Sequence, residues 1–189
     1  MHLSNQKRYL ADHSLVCVAG QSTYFPVGEL MQIHIIAVGK IKEKYLQMGI
    51  LEYEKRLCPY VKLNILEIAD EKRVGQLSPS DQKQIKEAEG MRILGSIPQD
   101  SFVIVLDVGG VHWSSEALAE HIRQWEISGR NNISIIIGGD LGLSDSVITR
   151  SDVRLSFSPM TFTHQMVRLI LLEQVYRAFR ILRGEPYHK

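Results

Sequence analysis

The chain has 189 residues, 44% of them apolar, and its 22 basic and 21 acidic side chains leave a net charge of +1. That composition suits one soluble globular domain with a good core. No apolar run approaches bilayer length, residues 1–30 lack the apolar segment of a signal peptide, and Cys17 and Cys58 make neither a disulfide framework nor a metal cluster. A cytoplasmic, reducing location without membrane or metal is therefore expected.

Residues 1–30 show no sustained periodicity and read as a poorly ordered extension or an upstream start, ahead of one domain over residues 31–189. QIHIIAVG (residues 32–39) reads as a buried strand ending in glycine. Leu46, Ile50, Tyr53 and Leu57 recur at helical spacing, and Pro59 closes that helix. Val61, Leu63, Ile65 and Ile68 mostly alternate, as in a strand toward a sheet edge. Ser78-Pro79 fits a cap and first helical turn, opening a helix to about Leu94.

SFVIVL (residues 101–106) predicts a third, wholly apolar strand that stops at Asp107 and the turn VGG. The next helix takes Ser114 or Ser115 as cap, carries Leu118, Ile122 and Trp125 on its buried stripe, and ends at Gly129. Residues 133–137 are the fourth strand, Ser144 caps a short helix, and residues 155–157 are a fifth strand. A long helix over about residues 165–183 closes the chain. Strands and helices alternate throughout, which predicts an α/β fold with a mostly parallel sheet and helices on both faces.

Three loops could carry chemistry. The first is Leu106 to Gly110, the second is the glycine turn of Gly138, Gly139 and Gly142, and the third runs from Phe157 to His164. Ligands of open α/β sheets sit where strand ends open into loops, and glycines let backbone amides approach them closely. Each loop alone is also an ordinary connection, and none has the spacing of a P-loop. Residues 150–189 hold seven basic and three acidic residues, a net +4, which suits a phosphate-rich partner or, equally, a solvated helix face.

In combination the motifs resemble a specific family. MQIHIIAVGK (residues 31–40), LDVGG (106–110), IIGGDLGL (136–143), LSFSPMTFTHQMVR (155–168), EQVYRAF (173–179) and the terminal PYHK (186–189) resemble the SPOUT methyltransferases. Within them the chain is most similar to the ribosomal RNA large subunit methyltransferase H family. That resemblance implies a C-terminal trefoil knot, which pattern reasoning would not propose. It also implies methylation of N3 of a pseudouridine in 23S rRNA, on the assembled 70S ribosome, with S-adenosyl-L-methionine as donor. The implied cofactor positions are Leu106, Gly138, Phe157, Ser158, Pro159, Met160, Thr161 and Phe162. Thr163 stands where proline is expected, so the loop reads as less stiff.

Once its proton is gone, an imide nitrogen can attack a sulfonium methyl directly, so no covalent intermediate and no role for Cys58 are needed. Positioning and positive groups that stabilise the ionised base would supply the rate. Candidates are Arg168 and His188 first, then His164, Tyr187 and the terminal Lys189. Arg168 also fits an ion-pair partner of Glu173 or an interface residue, and His164 fits a helix N-terminal residue bonded to backbone. Trp113 and Trp125 read as core, while Asp107 and Asp140 read as turn caps. The final helix is apolar on more than one side, which with the resemblance implies a homodimer whose tails cross to the partner's cofactor. Two rival classes are a Rossmann-like oxidoreductase, disfavoured because residues 39–42 lack GxGxxG, and a non-catalytic ribosome-binding factor.

Overall fold

A computed structural model describes residues 30–72 and 75–187. The proposed N-terminal extension therefore lies, except for Leu30, outside the described residues, as do His188 and Lys189. Five strands, β1 (Gln32–Val38), β2 (Lys62–Ile68), β3 (Phe102–His112), β4 (Asn132–Ile137) and β5 (Val153–Ser156), form one parallel sheet in the order β2-β1-β4-β3-β5. The centre falls to β4, whose NISIII run is buried from its second residue onward. One edge falls to β2, whose residues alternate between exposed and half-buried from Lys62 to Leu66. Strand position thus follows from pattern: unbroken apolar runs tolerate cover on both faces, and alternating ones do not require it.

Helices α1 (Lys44–Leu57), α2 (Pro79–Ser96), α3 (Ser115–Ile127), α4 (Asp145–Arg150) and α5 (His164–Leu182) connect and follow the strands. Successive strand residues point to opposite faces, and two cores result. Ile33, Ile35 and Ala37 pack with Leu57, Ile122, Leu171 and Leu172 under α1, α3 and α5. Ile36 and Val38 join Ile93 and Val147 under α2 and α4. Both faces are covered, as the alternation of elements predicts. Serine caps start three helices: Ser114 and Ser144 accept from Ala117 and Val147, and Ser78 and Asp81 form a reciprocal capping box.

One expectation fails. LDVGG is not a terminating turn, because β3 bulges after Leu106 and resumes, so that Leu155 of β5 pairs with both Leu106 and Val111. Gly110 makes this possible: a Cβ there would stand 2.6 Å from the backbone of Arg154. Asp107, read as a turn cap, instead accepts from the Arg154 guanidinium across to β5. The bulge brings Leu106 beside the edge strand from which the 157–163 loop leaves.

Candidate active site

The carboxyl edge of the sheet gathers the glycine turn, the 157–163 loop and the start of α5. After β4, Gly142 donates to the carbonyl of Gly139 at 3.0 Å and adopts φ +83°, closing a tight turn. Gly139 is pressed from below, since a Cβ would lie 3.1 Å from Glu89 Oε2 and 3.2 Å from Val38 Cγ1. The turn therefore needs glycine for close approach as well as for conformation.

Asp140, at the tip of that turn, binds His164, the first residue of α5, with 2.6 Å between Oδ1 and Nδ1. The imidazole lies over Gly39, where a Cβ would be 3.3 Å from Nε2. Thr163 caps α5 by accepting from Met166. His164 is thus a helix N-terminal residue, but its partner is the Asp140 carboxylate. The sequence reading missed this pair because the two residues are 24 positions apart.

One turn along α5, Arg168 is only 1% exposed. Its Nη2 donates to the carbonyls of Val38 (2.7 Å) and Gly39 (2.6 Å), and Nη1 to Glu67 Oε1 (2.9 Å). Glu67 also accepts from the Ile41 amide at 3.0 Å. Burial pulls the Arg168 pKa down and Glu67 opposes it. The alternative reading of Arg168 as a buried ion-pair residue holds with a different partner: Arg168 pairs with Glu67, and Glu173 pairs with Arg177. Arg168 consequently acts as a clamp between α5, the end of β1 and the end of β2.

The third loop is the open part of the edge. Ser158 folds it locally, its hydroxyl accepting from the Met160 amide at 3.0 Å and its carbonyl accepting from Ser156. Pro159, Met160, Thr161 and Phe162 are exposed, Met160 by 72%. Phe157 and Phe162 turn into a cleft of about 300 Å³ with Trp113, Ser115, Ile170 and Gln174. That volume is at the lower end for small-molecule sites. Of the expected cofactor positions, Phe157 and Phe162 line this cleft. Leu106 pairs with its wall residue Leu155, and Gly138 lies outside the lining, in the glycine turn after β4. A larger, more polar hollow of about 600 Å³ opens at the opposite, amino edge beside Arg130, Arg150 and Asp152.

The tail lies on its own chain as far as it is described. Tyr187 packs edge-on against Tyr176 at 5.0 Å, with the Arg177 guanidinium 4.9 Å from its ring centre. Its hydroxyl is 3.4 Å from both Tyr53 OH and Glu173 Oε1. Burial, then the bond to Tyr53, holds the Tyr187 phenol above its ordinary range. Trp125 is buried as expected, whereas Trp113 lines the cleft and stacks on His121 at 4.0 Å. Among the described residues no cluster of His, Cys, Asp or Glu could hold a metal ion, and no helix is long and apolar enough to cross a membrane.

A parallel sheet with helices on both faces and glycine-lined and aromatic loops at its carboxyl edge defines an α/β protein of the open-sheet class. A family model described as "Predicted SPOUT methyltransferase" matches residues 31–188. The chain belongs to the SPOUT methyltransferase family and, within it, to the ribosomal RNA large subunit methyltransferase H group. Proteins named "Ribosomal RNA large subunit methyltransferase H" from Bacillus pumilus, Halothermothrix orenii and Enterococcus faecalis are 55%, 54% and 52% identical to it over 159 residues. In each case the alignment covers 84% of this chain and all of the relative. A methyltransferase that acts on ribosomal RNA is the activity this kinship assigns.

Proposed function

We propose that the protein methylates N3 of a pseudouridine in 23S rRNA within the assembled 70S ribosome. It uses S-adenosyl-L-methionine and works as a cytoplasmic homodimer whose C-terminal chain is threaded as the trefoil knot of its family. Residues 31–189 form the catalytic domain, and residues 1–30 are an extension to it. The observation that carries this reading is that the glycine turn after β4 and the 157–163 loop after β5, which lines an aromatic cleft, both leave the carboxyl ends of the sheet strands, in a chain over half identical to named rRNA methyltransferases.

The residues present fit the donor. Gly139 packs closely on Glu89 and Val38, which keeps turn amides near the edge, and Phe157, Phe162 and Trp113 offer apolar faces for an adenine. Leu106, Gly138, Phe157, Ser158, Pro159, Met160, Thr161 and Phe162 would hold it. When bound, the donor supplies an electrophilic methyl on a sulfonium centre.

The chain's own residues have separate tasks. Arg168 holds the ends of β1 and β2 against α5 and so fixes the floor on which His164 and the 157–163 loop stand. His164 and Asp140 tie the glycine turn to α5. Tyr187, His188 and Lys189 bring polar and positive groups that stabilise the ionised base, worth a few kcal/mol at about 2.7–4 per well-placed group. Tyr45, Met48 and Leu51 leave an apolar stripe on α1 that supports a second copy as partner. Mixing a tail-deleted chain with one substituted at Gly138 restores activity if sites are shared between subunits.

The decisive test supplies 70S ribosomes lacking the modification and methyl-labelled donor, then maps label in 23S rRNA. Label on one pseudouridine, at N3 by mass spectrometry, is expected. Binding to ribosomes without transfer, or label on another nucleotide, overturns the reading.

A further inference from the structure

A continuous run of hydrogen bonds joins the cleft to the C-terminal tail. Ser115 Oγ, in the cleft wall, donates to Gln174 Oε1 at 2.7 Å. Gln174 Nε2 donates to Glu173 Oε2 at 2.6 Å. The other oxygen, Oε1, accepts from Arg177 through Nε (3.0 Å) and Nη2 (2.6 Å), and it faces the Tyr187 hydroxyl at 3.4 Å. The preceding tail residues are pinned beside it, Glu185 by Tyr60 at 2.6 Å and the Pro186 carbonyl by Arg180 at 3.2 Å.

Glu173 is the pivot because an ionised carboxylate accepts on both oxygens and donates nothing. One oxygen faces the cleft and the other faces the tail. A neutral amide of the same shape has one acceptor and one donor group. Glutamine at this position would either set its NH2 against the Arg177 guanidinium, which only donates, or turn that NH2 to Gln174 and force the Gln174–Ser115 link to reverse; in both cases Arg177 loses its anionic partner.

We propose that Glu173 is a positioning residue for methyl transfer, docking the tail that carries Tyr187 and coupling that docking to Gln174 in the cleft. This rests on the methyltransferase reading above. The step it serves is unchanged: Glu173 touches neither donor nor base, and acts through Arg177 and Tyr187.

The test compares wild type, Glu173→Gln, Tyr187→Phe and the double variant by kcat, by KM for S-adenosyl-L-methionine, and by hydrogen exchange of the Gly184, Glu185 and Tyr187 amides. Glu173→Gln should lower kcat about tenfold with KM within about twofold, as loss of a charge-assisted bond acting in the transition state would. The double variant should be no slower than the slower single, because both substitutions act on one contact. Tail exchange should quicken about tenfold in Glu173→Gln without any ribosome present. Losses that multiply, unchanged kcat, or unchanged tail exchange overturn the proposal. If wild type transfers no label at all, the methylation reading fails, and exchange still decides whether Glu173 docks the tail.

Discussion

At the amino end of α5, Arg168 is enclosed and directs its two terminal nitrogens to two strand carbonyls and Glu67, while His164 reaches the glycine turn. At the carboxyl end, Glu173, Arg177 and Tyr187 are only half-buried, and aromatic rings rather than carbonyls surround them. The first arrangement closes a core: backbone carbonyls at the ends of parallel strands have no further strand to pair with, and a guanidinium satisfies several at once. The second holds a chain end that solvent can still reach, so its contacts are individually weak and jointly orienting. Substitutions at the amino end should therefore be read in stability, and those at the carboxyl end in rate.

The sharpest way to break that contrast is Arg168→Met. It leaves the Val38 and Gly39 carbonyls unpaired in the interior and Glu67 without its cation, at a cost of about 3–5 kcal/mol. Urea denaturation measures it. Arg168→Lys should recover only part, since a point-like ammonium cannot reach three acceptors as the planar fork does. A loss below about 1 kcal/mol for Arg168→Met would mean the clamp is redundant and the two ends are alike.

Gly139→Ala asks how firmly the amino-end clamp sets the donor loop. The added methyl meets Glu89 and Val38 at 3.1 and 3.2 Å, so these side chains or the turn must shift by a few tenths of an ångström, at about 1–2 kcal/mol. Calorimetric titration with S-adenosyl-L-methionine should show affinity about tenfold weaker, with a smaller effect on unfolding than Arg168→Met. Unaltered affinity would place the donor away from this turn.

The amino-acid sequence makes the sheet legible where burial is two-sided or mostly alternating, as in β1, β4 and β2, and it makes helix starts legible at Ser78, Ser114 and Ser144 because caps are local chemistry. It misleads at LDVGG, where two glycines signal a turn but serve a bulge that lets the backbone of β5 approach. Site pairings were hidden for a different reason. Arg168 and Glu67 are 101 residues apart, so charge spacing along α5 pointed instead to Glu173. The Glu173–Arg177 pair at helical spacing was readable locally, whereas its extension to Gln174, Ser115 and Tyr187 depends on how α3, α5 and the tail pack.

The gentlest probe is alkaline pH. The Tyr187 phenol is held above its ordinary value of 10.0 by burial and by Tyr53, and Tyr60 is raised likewise by burial and Glu185. A raised phenol pKa means the folded state keeps a proton that the unfolded chain gives up. The stabilisation is complete below the ordinary value and is lost as pH rises through it toward the folded one. Wild type should therefore lose stability as pH rises above about 10, and Tyr187→Phe should lose less over that window, the remainder belonging to Tyr60. At neutral pH the same substitution should cost no more than about 1 kcal/mol, because its hydroxyl bonds are long and partly open to water. The deficit of Arg168→Met should change little across this window, since Arg168 bonds Val38, Gly39 and Glu67 and neither phenol. A deficit that instead shrinks with the tail's alkaline loosening would show the two ends of α5 to be one cooperative unit.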